Sequence, residues 1–507
     1  MNCRILCVAL ILFAVSGCST LSFDVPKKTS HTILDVADTP AGQAMAAWES
    51  IHVKESGFYP LPGGMDALGV RLRLAEMAEK SIDLQYFLMK NDTAGAVIAQ
   101  ALLNAADRGV RIRFLLDDIF TSAPDRAFLL MDQHPNIEVR LFNPISRKGI
   151  TGLNYLGDFK RANRRMHNKS FTVDNSLSVV GGRNIADEYF QLKKDSVFLD
   201  FDMLMIGPVV REVSASFDLY WNHERALPIE YVAQNKKGET LEEVRSGVSY
   251  KLEEIYAEVY SGALESELLQ DLIANRRPLY AGNARVLVDK PDKVINDISP
   301  EQMHLANDLR EVILSTEKEL FIITPYYVPG DAGVDMLRQL EERGVRVVVV
   351  TNSLASNNHT AVHSAYSRYR KKVLAVGVEI YEARVNAARQ IEGNEDGPDH
   401  LTMHTKVFLI DGRYLFFGSL NVDPRSIAIN AEMGVLMDSA ELVGGMTSFG
   451  EERLAAIFYK VKLNERNKLE WHGIIDGQPV VKTKEPDTSI FKRFSAWFQK
   501  IAPESQL

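Results

Sequence analysis

Met166-His167-Asn168-Lys169-Ser170-Phe171-Thr172-Val173-Asp174 is followed, after six residues, by Gly181-Gly182-Arg183-Asn184. The arrangement returns as Met403-His404-Thr405-Lys406-Val407-Phe408-Leu409-Ile410-Asp411, followed after six residues by Gly418-Ser419-Leu420-Asn421. Both copies read H-x-K-x4-D-x6-G-(G/S)-x-N. So many fixed residue types at one spacing are the mark of a duplicated chain. A second repeat agrees. Arg108-Gly109-Val110-Arg111 opens an apolar run to Asp117, and Arg343-Gly344-Val345-Arg346 opens one to Thr351. Each follows an amphipathic helical stretch, residues 94–107 and 334–342. Strand-like runs lie upstream (Ser81–Leu88, Leu320–Val328), and further ones downstream (Ile137–Phe142, Val378–Tyr381). A helix feeding a buried β-branched strand through a glycine is the signature of βαβ units and an α/β fold with a largely parallel sheet.

Side chains alternate along a strand, so the spacing predicts His167 and Lys169 on one face, and His404 and Lys406 likewise. Two pseudo-symmetric halves meeting edge to edge would then set two imidazoles and two ammonium groups around one cleft. The glycines allow close backbone approach, and Asn184 and Asn421 can add amide donors. Such a site suits a phosphate-sized anion, whose charge lysines and amides can meet without a metal. Two histidines can divide the work at a phosphodiester: one attacks phosphorus, the other protonates the leaving alkoxide and then activates the incoming hydroxyl. A carboxylate best orients an imidazole and fixes its tautomer. Asp200 and Glu432 are the candidates, with Asp202 a competitor of Asp200.

The 507 residues are 46% hydrophobic and 25% charged, ample for a large core, and the net charge of −9 argues against gripping nucleic acid by bulk charge. All three cysteines, Cys3, Cys7 and Cys18, fall in the first eighteen residues, which excludes disulfide scaffolds and thiol chemistry from the rest. There, Arg4 precedes an apolar run from Ile5 to Val15 that is too short to span a bilayer, the layout of a secretory signal. Val15-Ser16-Gly17-Cys18 resembles a bacterial lipobox, which implies acylation of Cys18. The expected address is the bacterial cell envelope, lipid-anchored and facing the periplasm. Ser19 in place of the aspartate of inner-membrane retention favours the outer membrane.

The paired motifs, with the flanking words RRMHNKSFTVD, VGGRNIADEYF and GSLNVDPRSIAINAEMG, resemble the phospholipase D superfamily, and within it the bacterial cardiolipin-synthase branch. The likeness runs from about Pro60 to near the C-terminus. It implies two phospholipase D-like domains, each a mixed sheet flanked by helices, sharing one active site. It also implies a metal-independent, two-step phosphatidyl transfer through a phosphohistidine on His167, with His404 as general acid and then base. By the same resemblance Lys169, Lys406, Asp174 and Asp411 join the catalytic set, while Asn184 and Asn421 bind phosphate. No cofactor is implied. The implied partners are phospholipids (phosphatidylglycerol, with phosphatidylethanolamine a further candidate) and a membrane surface, not nucleic acid, with an accessory protein left open. A hydrolytic phospholipase D releasing phosphatidic acid is the alternative within the class. A non-catalytic phospholipid-binding envelope scaffold is the alternative outside it.

The expected organisation is a signal peptide over 1–17, a lipidated tether over 18–50, domains over 51–228 and 296–482, a helical connector over 229–295, and an amphipathic tail over 483–507. Arg161, Arg164 and Arg165 either steer an anionic headgroup or form a solvated face; their place beside the first motif favours steering. His359 and His363 stand four apart on a helical stretch, but without a glutamate after His359 they make no metalloprotease pattern. His363 reads as a polar surface or core residue, with substrate contact the alternative. Ile490, Phe491, Phe494, Trp497, Phe498 and Ile501 share one helical face in the tail. That face either packs on the second domain or lies in a membrane interface; the basic Lys492, Arg493 and Lys500 favour the interface.

Overall fold

The computed structural model describes residues 21–501, apart from 150, 194, 247–249, 274–275, 296–298, 300–302, 388–399, 448–453, 455 and 476. The signal sequence and Cys18 lie outside the described residues. In the first half the strands are β1 (Ser56–Leu61), β2 (Ser81–Tyr86), β3 (Arg111–Asp117), β4 (Ile137–Phe142), β5 (Ser170–Val173), β6 (Leu177–Gly181), β7 (Ser196–Leu199), β8 (Asp202–Ile206) and β9 (Ala226–Pro228). The sheet order is β9-β4-β3-β2-β5-β6-β8-β1, with β2, β3 and β4 parallel and the other neighbours antiparallel.

The second half repeats this plan. Its strands are β10 (Tyr280–Val288), β11 (Glu319–Ile323), β12 (Arg346–Asn352), β13 (Glu379–Ala383), β14 (His400–Met403), β15 (Val407–Ile410), β16 (Tyr414–Gly418), β17 (Met433–Asp438), β18 (Phe458–Leu463), β19 (Leu469–Ile475) and β20 (Gln478–Lys482). The order is β20-β19-β18-β13-β12-β11-β15-β16-β17-β10, with β11, β12 and β13 parallel. The fold is thus α/β, with two mixed sheets of matching topology. β10 also pairs with β1, joining the sheets edge to edge. Between them lies a shared apolar layer, with Phe58, Val180, Met203 and Met205 of the first half against Leu409, Phe417, Met433 and Val435 of the second.

The helix–strand joints are alike. Thr93–Asp107 and Gly330–Glu342 both stop at a glycine of positive φ, Gly109 (97°) and Gly344 (83°). The next amide reaches back to the helix, Val110 N–H to Ala105 O at 3.2 Å and Val345 N–H to Leu340 O at 3.1 Å. This is the Schellman closure that left-handed glycine permits. It is why the strands start at Arg111 and Arg346, three residues after the repeat opens.

Two expected boundaries change. Residues 229–295 do carry helices (Leu241–Ser246, Tyr250–Leu264, Glu267–Ile273), but β10 falls inside this span and belongs to the second sheet. The tether is not loose from residue 21 onward. Pro40–Ile51 is a helix capped by Thr39, and residues 27–32 strap the first half. Buried Arg113 and Arg140 donate to Ser30 O (2.9 Å) and Lys28 O (2.6 Å), and Trp221 Nε1 donates to Ser30 Oγ (2.9 Å). Two guanidiniums at the sheet need acceptors, and the strap's carbonyls supply them.

Asp174 and Asp411, placed by resemblance in the catalytic set, stand at the far ends of β5 and β15 from the histidines. Both have positive φ (46° and 55°), a conformation aspartate tolerates better than most residues. The Asp174 carboxylate accepts from the amides of Glu79 (3.1 Å), Lys80 (2.9 Å) and Ser81 (2.8 Å). Asp411 accepts from Glu317 (2.9 Å), Lys318 (2.7 Å) and Glu319 (3.0 Å). Each pins the start of the antiparallel neighbour, β2 or β11. Asp174→Ala is therefore expected to cost about 1–3 kcal/mol through orphaned amides. At about 2–4 °C per kcal/mol for a domain of this size, thermal unfolding falls by several degrees. Turnover by the folded protein at low temperature stays at the parent value; a large loss of kcat without loss of stability would return Asp174 to the chemistry.

Candidate active site

The site forms where each half lends backbone to the other. Met166 bridges Ala431, and the His167 amide donates to Ala431 O at 2.8 Å. On the other side β7 and β14 pair in parallel, Ser196 opposite His400 through Leu199 opposite Met403, and the His404 amide donates to Leu199 O at 2.6 Å. Glu432 follows Ala431 and Asp200 follows Leu199, so these junctions deliver each acid to the other half's histidine. His167 Nδ1 lies 2.8 Å from Glu432 Oε2, and His404 Nδ1 lies 2.6 Å from Asp200 Oδ2. The pairing is crossed.

The H-x-K triplets are not inside strands, as the alternation argument expected. Residues 167–169 and 404–406 are the lead-in segments to β5 and β15, spent on the cross-domain junction instead of a ladder of their own half. Lys169 Nζ folds back to His167 O at 2.7 Å and Lys406 Nζ to His404 O at 2.5 Å. Lys406 Nζ also lies 3.0 Å from Nδ1 and 3.3 Å from Nε2 of His404. Phe87 meets His167 edge-on at 4.7 Å, while Tyr189 and Phe198 flank His404 at 5.1 and 5.7 Å.

The small residues after the motifs serve the acids. A Cβ at Gly182 would stand 2.1 Å from Asp200 Oδ1, so only glycine leaves room for that carboxylate. At the matching position Ser419 Oγ donates to Glu432 Oε2 at 2.5 Å. Burial alone would raise both carboxyls. His404 and Lys406 beside Asp200, and His167 and Lys169 beside Glu432, outweigh it and hold both below the ordinary range. An ionised carboxylate only accepts, so each Nδ1 carries the proton and each Nε2 presents a lone pair. Burial, reinforced by the lysines and opposed by the acids, lowers His167 to about 4 and His404 to about 3. Burial also lowers Lys169 to about 7 and Lys406 to about 8, with Glu432 and Asp200 respectively opposing it.

The cleft has a volume of about 670 Å³ and is lined by both histidines, Asn184, Asn421, Phe87, Tyr189, Phe198 and Tyr326, among others. Asn184 Nδ2 lies 3.0 Å from Tyr189 Oη and Asn421 Nδ2 lies 3.3 Å from Ser426 Oγ, each leaving a buried Oδ1 without a partner. A half-turn of either amide lets the hydroxyl donate to Oδ1 and turns the NH2 to the cleft. Asp202 does not compete for a histidine; it is held by Arg71 at 2.8 Å.

The expected arginine funnel is absent from the cleft lining. Arg161 binds Asp158 (2.5 Å) and Asn143 Oδ1 (2.8 Å), Arg164 donates to Lys293 O (3.1 Å), and fully buried Arg165 meets Asp117 (3.3 Å) and Asn143 O (3.0 Å). The buried carbonyls of Asn143, Pro144 and Lys293, packed beside this segment, are what these guanidiniums satisfy. The cationic side chains that line the cleft are instead Lys90, paired with Glu188, and Arg425, held by Asn163 Oδ1 at 2.8 Å. His363 is a core polar residue that takes a 3.0 Å contact from Arg370, whereas His359 reaches the cleft. Arg425 and Tyr326 were not singled out from the sequence; Arg425's position four residues after Asn421 was the available signal.

A family model described as "Cardiolipin synthase, PLD-like domain" matches residues 72–221 and 309–451, covering both halves of the site. The chain belongs to this phospholipase D-like family. It is 36% identical to cardiolipin synthase C of Escherichia coli over 90% of this chain and 96% of that one. It is 32% identical to an uncharacterized protein of Helicobacter pylori over 99% of this chain and 100% of that one. The crystal structure of a phosphatidylserine synthase of Haemophilus influenzae shares the fold, with a TM-score of 0.56 at 14% identity over 91% of this chain and 99% of that one.

The electrostatics set a pH profile. kcat/KM reports the free enzyme. Lys169 and Lys406 meet a phosphate only when protonated, so kcat/KM for a soluble phosphodiester falls as pH rises past about 7 to 8. On the acid side it holds until His167 takes a proton near pH 4. Lys169→Arg keeps its charge and moves the alkaline limb upward; a limb that stays in place would detach it from this lysine.

Proposed function

We propose that this protein is a membrane-attached phosphatidyltransferase of cardiolipin synthase type. The observation that carries the reading is the crossed pair of carboxylate-bound imidazoles lining one cleft, with a lysine buried behind each. The name of the E. coli relative supplies the substrate class.

The chemistry is a double displacement. His167 Nε2 attacks phosphorus, forming a P–N bond as the P–O bond to the first alcohol breaks, while His404 gives its Nε2 proton to the departing oxygen. An alcohol on a second lipid then attacks, His404 takes its proton, the new P–O bond forms and the P–N bond breaks. Both imidazoles are neutral in the empty cleft, so the acid's proton is taken up as the substrate's negative charge enters. Lys406 keeps its proton to hold the phosphate, so that proton comes from solvent, and the likeness of both motifs to the phospholipase D family supports His404 as the acid and His167 as the nucleophile. Both lysines meet the non-bridging oxygens and stabilise the transition state.

Membrane attachment is supported by the tail helix Ile490–Phe498. It leaves Phe491 86% exposed and Trp497 63% exposed, with Ile490, Phe494 and Phe498 beside them. Gln499, just beyond this helix, lines the cleft. Leu153, Leu156 and Phe159 form a second exposed apolar group, on a segment whose Tyr155 acts electrostatically on Arg425 at the cleft wall. Phe23 lies under Arg161 of that segment, so the leading end of the described chain runs to this side as well. Among the described residues no helix is long and apolar enough to cross a membrane. Acylation at Cys18, with the outer membrane as its address, completes the reading.

Purified protein with labelled phosphatidylglycerol, with and without phosphatidylethanolamine and in chelator, should yield cardiolipin, and His167→Ala should abolish it. Phosphatidic acid alone would mark a hydrolase, and full activity in His167→Ala would overturn the assignment of the nucleophile. For the tail, Phe491→Asp with Trp497→Asp removes two side chains each worth about 1.5–3 kcal/mol when buried, so binding to anionic vesicles falls at least tenfold. Turnover of a soluble phosphodiester stays unchanged, and unaltered vesicle binding would remove the tail from the membrane contact.

A further inference from the structure

Behind the C-terminal wall of the cleft lies a second, apolar space of about 270 Å³. Its walls are the helices His304–Leu314, through Ala306 and Ile313, and Gly330–Glu342, through Ala332 and Met336; its floor includes Ile322 and Phe408. The wall between the two spaces is one layer of chain thick. Tyr326, Asp423 and Ser426 line the cleft, while their neighbours Tyr327, Val422 and Ile427 line the groove. Asn421 borders both. Tyr327 and Val422 are bridged, and the Val328 amide donates to Val422 O at 2.6 Å, so this wall is fixed.

The Tyr327 hydroxyl in this wall has no hydrogen-bond partner although its residue is only 1% exposed. An unpaired buried hydroxyl is costly, and its retention in a mainly apolar groove, whose other polar lining residues are Asn307, Arg310 and Asn421, points to a ligand carrying an acceptor at that spot. The small side chains of Ala306 and Ala332 leave the groove open where larger ones would close it. Its wall from Met303 to Ile313 runs about 15 Å along the helix at 1.5 Å per residue.

We propose that this groove holds one acyl chain of the phospholipid whose phosphate lies between the histidines, with Tyr327 donating to the ester carbonyl. The proposal rests on the phosphatidyl-transfer reading and adds a chain-length specificity to it. A phosphodiester held at His167 and His404 is followed by its glycerol esters. Asn421 is the residue that such a lipid passes between cleft and groove. Beyond it the chain meets a lining that is mainly apolar, where each methylene taken from water strengthens binding by up to about fourfold.

The experiment uses the full chain with dispersed phosphatidylglycerols of six-, ten- and sixteen-carbon chains, comparing the parent with Ala306→Trp and, on the opposite helix, Ala332→Trp. KM of the parent should fall as the chains lengthen. Either filled variant should lose that gain, with KM for the long chains rising tenfold or more, kcat held, and six-carbon kinetics unchanged. Tyr327→Phe should raise KM for ester lipids but not for ether-linked ones. If both filled variants melt like the parent and keep its dependence on chain length, the groove is not the acyl site. Should all lipids go unturned, the transfer reading fails by itself, and the groove is judged by equilibrium dialysis of radiolabelled sixteen-carbon phosphatidylglycerol. Retention by the parent and loss in Ala306→Trp supports it, and equal retention by both overturns it.

Discussion

The site hangs on one exchange: each histidine is hydrogen-bonded to a carboxylate from the other half. Glu432 is fully buried and Asp200 nearly so, and neither has a histidine of its own half to meet. A buried carboxylate stripped of its partner costs several kcal/mol, so parting the halves would strand both acids and both imidazoles. The same contact that makes the imidazoles usable therefore holds the domains together. The edge pairing of β1 with β10 and the apolar layer between the sheets bring the halves to the right distance. The backbone junctions at Ala431 and Leu199 then set the register to within one residue. A shift of one residue at either junction would send the acid to the opposite face.

Four buried basic side chains face two buried acids at and behind the cleft wall, and of these only the two histidines reach the lining. Desolvation decides how they share protons: it neutralises the imidazoles, weakens the hold of both lysines on theirs, and leaves the charge on the acids, which the basic neighbours stabilise. The empty cleft is thus short of the positive charge that its residue list suggests. A phosphodiester supplies the missing term. Its anionic oxygens favour the protonated lysines and the protonated acid imidazole together, so binding and readiness for proton transfer rise as one step.

The sequence made visible what depends on local spacing. The duplication, the matching helix–strand units and the gathering of His167, Lys169, His404 and Lys406 follow from motifs a few residues long, whose geometry the backbone fixes. The crossed acids were named but not their partners, since nothing in chain order tells which half lends a carboxylate to which histidine. Asp174 and Asp411 share the motif's spacing without sharing the cleft, because the whole length of β5 or β15 separates them from the histidines. Arg161, Arg164 and Arg165 misled for a related reason. A basic cluster beside a phosphate site looks like a funnel until the carbonyls packed beside it claim it. The strap over residues 27–32 looked like linker since it has no period of its own, and what orders it are arginines far along the chain.

The two copies of the motif differ at one small residue, and the difference is chemical. Gly182 is a space that Asp200 fills, whereas Ser419 is a donor that Glu432 accepts. The carboxylate behind His167 thus has a second hydrogen bond that stabilises its charge, and the carboxylate behind His404 has none from that position. Lys406 also lies against the ring of His404, while Lys169 lies over Phe87. An anchored carboxylate favours positive charge on the imidazole of His167. A lysine 3.0 Å from Nδ1 and 3.3 Å from Nε2 opposes positive charge on His404. Duplication supplies two equivalent histidines; these few asymmetric contacts are what set their electrostatic surroundings apart.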